Sequence, residues 1–271
     1  MICKLSDQAL IRVRGNDAKK FLQGQLTCDV EKKISMGAHC NPQGRVISLF
    51  YLFQQDNDYY LLMQKSMISH AVSTLKKYAV FFKVEMNEMS DEWQIVGIEN
   101  PDENIIQNNI CIPVKNSRYI VVGKDLNLQI TESLEHWKTL NIRDGIPEIY
   151  PETSGKFLPH EINLHELNAL SFEKGCYTGQ EIIARMHYRG KLKNHLYVAS
   201  VSSEYSPAPS ADIYSLQGSE FKPAGMLVDT SREVYNHQYD VLIVAGEFDN
   251  KINSLYLMQN TGSILQVQNV R

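Results

Sequence analysis

The order of hydrophobic and polar positions predicts alternating strands and helices over the first half of the chain. Apolar runs at residues 9–14 and 46–53 predict strands, and residues 67–78 repeat apolar side chains at helical spacing, with Ser66 as the cap. Further strands are predicted at residues 59–63, 81–86, 93–98, 111–114 and 118–122. The polar stretch 100–109 is predicted to be a surface loop. This order is typical of an α+β fold with ferredoxin-like modules.

The last part of the chain, from residue 196 onward, has a different pattern without predicted helices. Its short alternating runs are residues 196–201, 226–228, 239–244, 254–258 and 264–267. Turn-rich stretches such as residues 205–210 separate these runs. Several short strands with no helix between them predict a small antiparallel β-barrel or sandwich.

Composition and charge narrow the class of protein. The 271 residues suggest one to two domains, and 43% apolar with 21% charged residues is ordinary for a folded globular chain. With 27 Lys and Arg against 31 Asp and Glu, the net charge of −4 excludes a globally basic nucleic-acid binder but allows a local basic patch. The longest apolar run, residues 46–53, is too short to span a bilayer, so no membrane contact is expected.

The cysteines form no recognisable pairing or metal pattern. They are Cys3, Cys28, Cys40, Cys111 and Cys176. There is no C-x-x-C and no metal-binding spacing with the histidines, so no metal site is predicted. An odd, scattered set without a signal peptide indicates a reducing compartment, and we expect a cytoplasmic monomer.

One stretch, residues 172–185, combines the features of a reactive loop. Two glycines bracket Cys176, and Lys174 precedes it by two residues. A helix start is predicted directly after the loop, with Glu181 and Arg185 one turn apart as an ion pair. A nearby cation and a helix N-terminus both favour a thiolate over a thiol. The alternative is that Cys176 is a small buried apolar residue, as intracellular cysteines often are.

Basic residues occupy every second position after this loop. They are Arg185, His187, Arg189, Lys191, Lys193 and His195. In an extended chain, this spacing would place all six on one face. Such a face is either a solvated edge strand or a dock for an anion, such as the glutamate tail of a folate or the phosphates of an RNA.

Residues 174–181 read Lys-Gly-Cys-Tyr-Thr-Gly-Gln-Glu, which resembles the defining motif of the YgfZ family, folate-binding relatives of the glycine-cleavage T-protein. Residues 24–30, 77–83 and 137–142 also resemble YgfZ segments in YgfZ order, and the resemblance weakens only in the C-terminal part. It implies a T-protein-like arrangement of three domains. These are a discontinuous folate-binding domain (1–44 and 130–195), an inserted ferredoxin-like domain (45–129) and a C-terminal β-barrel (196–271).

The resemblance also implies a function. It predicts an accessory protein that binds tetrahydrofolate or a derivative, including polyglutamylated forms, and supports iron–sulfur cluster assembly or repair in client enzymes, and thereby tRNA modification. The implied partners are those clients, such as tRNA methylthiotransferases, cluster-assembly proteins and, through the basic positions, RNA. The predicted catalytic residues are Cys176 and Lys174. The predicted folate-binding residues are Trp137, Gln8, Gln25, Asn41, Tyr78, Tyr177, Gln180, Glu181 and Arg185, and the predicted anion-binding residues are Arg189, Lys191 and Lys193.

Three positions keep other hypotheses open. Trp137 lies at helical spacing and is, on spacing alone, a core aromatic residue. Some YgfZ proteins have a tryptophan where this chain has Gln8, which removes one stacking surface. T-proteins carry an aspartate where this chain has Ser48, and a hydroxyl cannot replace a carboxylate in their chemistry. The alternatives are therefore an aminomethyltransferase of the T-protein type, or a module that binds RNA or protein through the basic positions alone.

Overall fold

A computed structural model describes residues 1–89, 93–231, 237–247, 254–258 and 261–268. The strands are β1 (Ile2–Lys4), β2 (Gln8–Arg14), β3 (Ile34–Cys40), β4 (Val46–Gln55), β5 (Asp58–Gln64), β6 (Glu85–Glu88), β7 (Gln94–Glu99), β8 (Ile110–Pro113), β9 (Arg118–Gly123), β10 (Asn194–Ser202), β11 (Asp212–Gln217), β12 (Glu220–Thr230), β13 (Gln238–Gly246), β14 (Leu255–Tyr256) and β15 (Ile264–Gln268). The helices are α1 (Ala18–Gln25), α2 (Ile68–Lys76), α3 (Glu103–Asn108), α4 (Leu134–Arg143) and α5 (Gln180–Arg189).

The first sheet is antiparallel, with strand order β3-β4-β5-β2-β6. Its central hairpin, β4–β5, turns through Asp56 and Asn57, which both have positive φ, as a two-residue hairpin loop requires. Apolar side chains of α1 and α2, including Phe21 and Leu75, are buried in the same core as β2, β4 and β5. Burial of these helix faces fixes both helices to the sheet.

A second antiparallel sheet, with order β1-β7-β9-β8, shares a core with β2, β4 and β5. The buried Trp137 of α4 lies in this core with Leu10 and Leu62. Its ring packs directly on Gly97 of β7, where any Cβ would clash with the indole. The glycine therefore lets α4 approach the sheet, and this places Trp137 between the two sheets.

The third unit is a closed antiparallel barrel with order β10-β13-β12-β11-β14-β15. Its interior has an apolar cluster of its own, including Val241, Ile243 and Leu265. Closure of the sheet removes exposed strand edges. Polar contacts from α4, such as the Arg143–Asp240 ion pair at 2.6 Å, join the barrel to the rest of the molecule.

The structure confirms the α+β class and the barrel, and it corrects several details. The stretch predicted as a surface loop at 100–109 contains α3, which begins at an Asp102 side chain that accepts from the Ile105 amide at 2.8 Å. No residue of α3 is buried, so hydrophobic periodicity gave no signal there. β6 starts at Glu85, and residues 81–84 are not a strand.

Sheet pairing does not follow the predicted division of domains. β3 and β4 pair along their lengths, so the first sheet crosses the boundary placed between residues 44 and 45. β6 and β7, expected in one ferredoxin-like module, belong to different sheets. Local patterns identify strands, but partners are chosen by contacts distant in sequence. Over the residues that the structure describes, no helix has the length and apolarity needed to cross a membrane.

Candidate functional site

A cavity lies between the first sheet and α4. Its walls are mostly apolar and include Leu49, Tyr51, Leu62, Trp137 and Ile149. Mostly apolar walls with a few polar groups are typical of small-molecule sites. One wall is formed by β4 and β5, and the other by α4 and the segment that follows it, so the cavity is held by rigid elements.

The polar end of the cavity is built around Glu148. Gln8 donates to Glu148 Oε1 at 2.8 Å, and Gln64 donates to its other carboxylate oxygen. Gln64 also donates to Asp7 Oδ2 at 2.9 Å, while Asp7 Oδ1 is buried and has no hydrogen-bond partner among the described residues. Buried acceptors without a donor are costly, so this end of the cavity is suited to a ligand that donates hydrogen bonds.

This polar cluster continues to the barrel. Lys138 donates to the Tyr150 hydroxyl at 2.7 Å and forms an ion pair with Asp229 of β12 at 3.2 Å. The hydroxyl lies 2.9 Å from both the Glu148 and the Asp229 carboxylates. Because a hydroxyl has one proton, it donates to one carboxylate at a time. The network thus connects the cavity, α4 and the barrel.

Burial makes it costly to ionise both the Glu148 and the Asp229 carboxyl groups. Burial, with Asp229 and Asp7 as further causes, raises the pKa of Glu148 to about 7. Burial likewise raises the pKa of Asp229. Burial disfavours the Lys138 ammonium, but Asp229 and Glu148 outweigh it and raise the Lys138 pKa. Glu148 and Asp229 are therefore both protonated more readily than exposed carboxylates.

Most residues of this cluster were not predicted from the sequence. Its unpredicted members are Asp7, Gln64, Lys138, Glu148, Tyr150 and Asp229. A signal was present in the sequence, because Glu148 stands between Ile146 and Ile149, and Asp229 follows the apolar run 226–228. Charged residues inside apolar runs are seldom buried unless they are paired.

The motif loop lies elsewhere, against α1 and the segment after it. Lys174 donates to the carbonyl oxygens of Leu26 and Cys28 at 2.7 and 2.8 Å, and its ammonium lies 5.0 Å from the centre of the Tyr177 ring. Burial lowers the pKa of Lys174 to about 8. Lys174 therefore anchors the loop to the backbone of residues 26–28.

The exit of the loop requires glycine. Gly179 has φ +83° and a Cβ there would lie 2.6 Å from the Asn41 carbonyl oxygen, since the turn at residues 41–44 packs on the start of α5. Thr178 donates from its amide to the Gly24 carbonyl at 3.1 Å and from its hydroxyl to Gln25 at 3.1 Å. These contacts therefore fix the loop on both sides of its tip, where Cys176 is exposed.

Cys176 is at that tip and is exposed. It borders an open groove whose other lining residues are Asn16, Lys19, Lys20, Gln23, Gly24 and Gly175. A Cβ on Gly175 would meet no neighbouring atom, so the backbone before the thiol is open to solvent. Such a thiol can be reached by a large partner.

The other four cysteines are in different surroundings. Cys3, Cys28 and Cys40 are buried, and Cys111 is half-buried. Burial raises the pKa of Cys3 and of Cys28 to about 11 and raises the pKa of Cys40 further. Buried neutral thiols react slowly, so access separates Cys176 from the rest.

Known proteins resemble this chain in sequence and in fold. No protein-family model matches the chain. The tRNA-modifying protein YgfZ of Aliivibrio fischeri (strain ATCC 700601 / ES114) is 31% identical over 275 residues, which span 92% of this chain and 86% of that protein. The tRNA-modifying protein YgfZ of Colwellia psychrerythraea is 32% identical over 256 residues, which span 83% of this chain and 79% of that protein.

The chain belongs to the YgfZ family. Among solved structures, the glycine cleavage system aminomethyltransferase T from Bartonella henselae has a TM-score of 0.71 at 12% identity, over 99% of this chain and 85% of that one. At this identity the likeness shows the fold alone. The predicted family and the T-protein-like fold are both confirmed.

Within this YgfZ-family structure, the predicted folate-binding residues divide into two groups. Gln8 and Trp137 line the cavity. The others lie away from its wall, and most surround the motif loop: Gln25, Asn41, Tyr78, Tyr177, Gln180, Glu181 and Arg185. Trp137 is a core residue, as its spacing predicts, and it also lines the cavity, while its contact with a pterin stays a prediction.

The basic positions do not share one strand, since Arg185, His187 and Arg189 lie on α5 and His195 lies on β10. Residues 185–189 belong to α5, so the alternating spacing does not place them on one face as predicted. The helix predicted after the loop is confirmed, but the Glu181–Arg185 ion pair is not formed in the described structure. An ion pair between exposed side chains contributes too little to hold them together.

Ser48 is also placed by the structure. It is fully buried in β4, opposite His39 of β3, and it is not among the cavity-lining residues. Its hydroxyl has no hydrogen-bond partner among the described residues. Burial lowers the pKa of His39 to about 4, so this neighbour is neutral at physiological pH.

Proposed function

We propose that this YgfZ-family protein binds tetrahydrofolate or a derivative in the Trp137 cavity. In that role it would support iron–sulfur cluster assembly or repair in enzymes that modify tRNA. The relatives are named tRNA-modifying proteins, which supports the second part in general terms. The proposed binding of tetrahydrofolate rests on the residues that line the cavity.

The observation that carries the proposal is the match between the cavity and a reduced pterin. A pterin is flat and has amino and ring N–H groups at one end. The apolar walls, including Trp137, suit the flat ring, and the unpartnered Asp7 Oδ1 beside Glu148 suits its donors. Gln8 and Gln64 orient the Glu148 carboxyl group and keep it in place.

Aminomethyl transfer is not part of the proposal. T-proteins use an aspartate at the place of Ser48, and here the hydroxyl is buried away from the cavity wall. A serine can neither take a proton from a reacting amine nor balance a developing positive charge as a carboxylate does. A glycine-cleavage assay with this chain in place of a T-protein should show no aminomethyl transfer.

The exposed Cys176 supports the link to client proteins. The thiol stands in an open groove bordered by Lys19 and Lys20, with the loop anchored behind it by Lys174. This arrangement presents sulfur to a partner, whereas the cavity encloses a small molecule. Lys174 acts in this proposal as a positioning residue.

Titration with tetrahydrofolate, followed by tryptophan fluorescence, tests the folate site. The chain has only Trp93 and Trp137, and Trp137 lines the cavity. We expect quenching in the wild type and in Trp93→Phe, and its loss in Trp137→Phe. Calorimetric titration of the same proteins should show that Trp137→Phe still binds, with weaker affinity.

A second variant separates binding from fluorescence. Gln8→Ala removes the side chain that holds Glu148 Oε1 but leaves both tryptophans, so weaker binding with a normal maximal quench is expected. Quenching that persists in Trp137→Phe, or calorimetric binding unaffected by both Trp137→Phe and Gln8→Ala, would place the folate outside this cavity.

A further inference from the structure

An exposed tyrosine on α5 has a fixed orientation. The Tyr188 side chain is 69% exposed, yet the edge contacts of its ring are with His187, at a centroid distance of 4.8 Å, and with Phe172, at 5.8 Å. His187 in turn stacks on Phe172 at 4.1 Å, and Phe172 packs on the main core. The ring is therefore supported from behind while most of its surface is free.

Four exposed basic side chains lie within five residues of Tyr188 in the chain and are here called the α5 basic patch. They are Arg185, Arg189, Lys191 and Lys193. All four are exposed, and within the described part of the chain none has a carboxylate within ion-pair distance. On α5, Arg185 is three residues before Tyr188 and four before Arg189, so it is a neighbour of both on the helix surface. Glu181 is the single acidic residue of α5.

A second histidine, His160, lies behind His187. His160 is nearly fully buried at 5.8 Å from His187, and neither of its ring nitrogens has a hydrogen-bond partner among the described residues. Burial, with His165 and His187 as further causes, lowers the pKa of His160 to about 4, so it is neutral. His160 therefore adds no charge behind the Tyr188 ring, and the cations of the α5 basic patch lie at the surface.

We propose that Tyr188 and the α5 basic patch bind single-stranded nucleic acid, with one unpaired base stacked on the Tyr188 ring and the neighbouring phosphates against the patch. A rigid exposed aromatic ring beside unpaired cations is the combination that such binding sites use. No residue of this site lines the Trp137 cavity, so the proposal is independent of folate binding.

Other ligands fit the site less well. An acidic peptide would use the cations but would have no need of the ring. A duplex would place phosphates on the patch, but its bases are already stacked and are not available to Tyr188. Dependence on the ring and on unpaired bases therefore distinguishes the proposed ligand from both alternatives.

The test is binding of fluorescein-labelled oligonucleotides of about 12 nucleotides, measured by anisotropy: single-stranded RNA, single-stranded DNA of the same sequence, and the RNA duplex. We expect the single strands to bind more tightly than the duplex. Tyr188→Ala should weaken single-strand binding by about 5- to 100-fold, and Tyr188→Phe should retain it, because the ring and not the hydroxyl makes the contact.

Tyr205→Ala is the matched control, since Tyr205 is 75% exposed and lies outside the site, and its affinity should equal that of the wild type. The triple change Arg189→Gln, Lys191→Gln and Lys193→Gln should lower the slope of log affinity against log salt by about 2. A preference for RNA over DNA would identify RNA as the natural ligand, and equal binding would support stacking of either.

Three results would overturn the proposal. The first is no salt-dependent binding of either single strand. The second is a duplex affinity equal to that of the single strands. The third is an affinity of Tyr188→Ala equal to that of Tyr205→Ala, with both variants folded as judged by circular dichroism.

Discussion

The Trp137 cavity and the Cys176 loop are built in opposite ways. The cavity lies between two sheets and α4, and its lining side chains also form the core. The loop lies on the surface, is anchored at Lys174 and Thr178, and leaves its thiol exposed. In the proposed function, the first region would enclose a ligand of limited size, and the second would offer a single atom to a partner of any size.

This difference determines whether a mutation can change function without changing stability. In the cavity, a side chain that touches the ligand also supports the fold, so binding and stability change together. At the tip of the loop, Cys176 supports little of the fold, so its chemistry can be removed alone. Trp137→Ala and Glu148→Gln test the cavity, and Cys176→Ser tests the loop.

The largest effect is expected for Trp137→Ala. The indole is buried against Gly97, and the Arg118 guanidinium lies 4.7 Å from the ring centre. Removing it leaves a large cavity in the core and should lower the free energy of unfolding by about 3–5 kcal/mol. Urea unfolding measures this. Trp93→Ala, at a half-buried position, should cost less. A cost below about 1 kcal/mol for Trp137→Ala would show that the cavity wall is not part of the core.

An intermediate effect, dependent on pH, is expected for Glu148→Gln. The folded state raises the Glu148 pKa to about 7, so the folded protein holds this proton more tightly than the unfolded chain does. Stability from this group is therefore present at low pH and is lost as the pH rises from about 4.5 to 7. Relative to wild type, Glu148→Gln should gain about 1–3 kcal/mol between pH 5 and pH 8.

Urea unfolding at the two pH values measures the difference between wild type and variant, which isolates this carboxyl group from others that titrate. Glu173→Gln is the control, because Glu173 is exposed. Its difference from wild type should be the same at both pH values. A constant difference for Glu148→Gln as well would mean that Glu148 is ionised in the folded protein throughout this range.

The smallest effect on stability is expected for Cys176→Ser. The thiol is exposed, so the free energy of unfolding should change by less than about 0.5 kcal/mol, and folate binding should persist. Labelling with a thiol reagent should lose its fastest phase. Rescue of tRNA methylthiolation in cells lacking the native protein should fail, because the thiol that is proposed to meet client proteins is gone.

Cys28→Ser is the matched control. This residue is 2% exposed, so its serine variant should lose stability but keep the fast labelling phase. Full rescue by Cys176→Ser would contradict a chemical role for the thiol. Loss of folate binding in the same variant would contradict the separation of the two regions.

The sequence alone determined the parts of this protein that depend on local pattern. The strands β2, β4 and β9, the helices α2 and α4, and the barrel class follow from side-chain periodicity. The motif around Cys176 identified the family, because it is a contiguous run of residues that can be read directly from the sequence. The two bracketing glycines were also visible, and one of them, Gly179, meets a steric limit that only glycine satisfies.

Tertiary structure alone decided which distant residues meet. Asp229 and Glu148 are far apart in the chain, and only closure of the barrel against α4 brings both to the Tyr150 hydroxyl. The alternating basic residues read as one face of a strand, and α5 redistributes them because helix and strand periods differ. Likewise, nothing near Lys174 in sequence shows that its ammonium is held by carbonyls of residues 26 and 28. Pairing, burial and charge depend on neighbours that only the folded chain supplies.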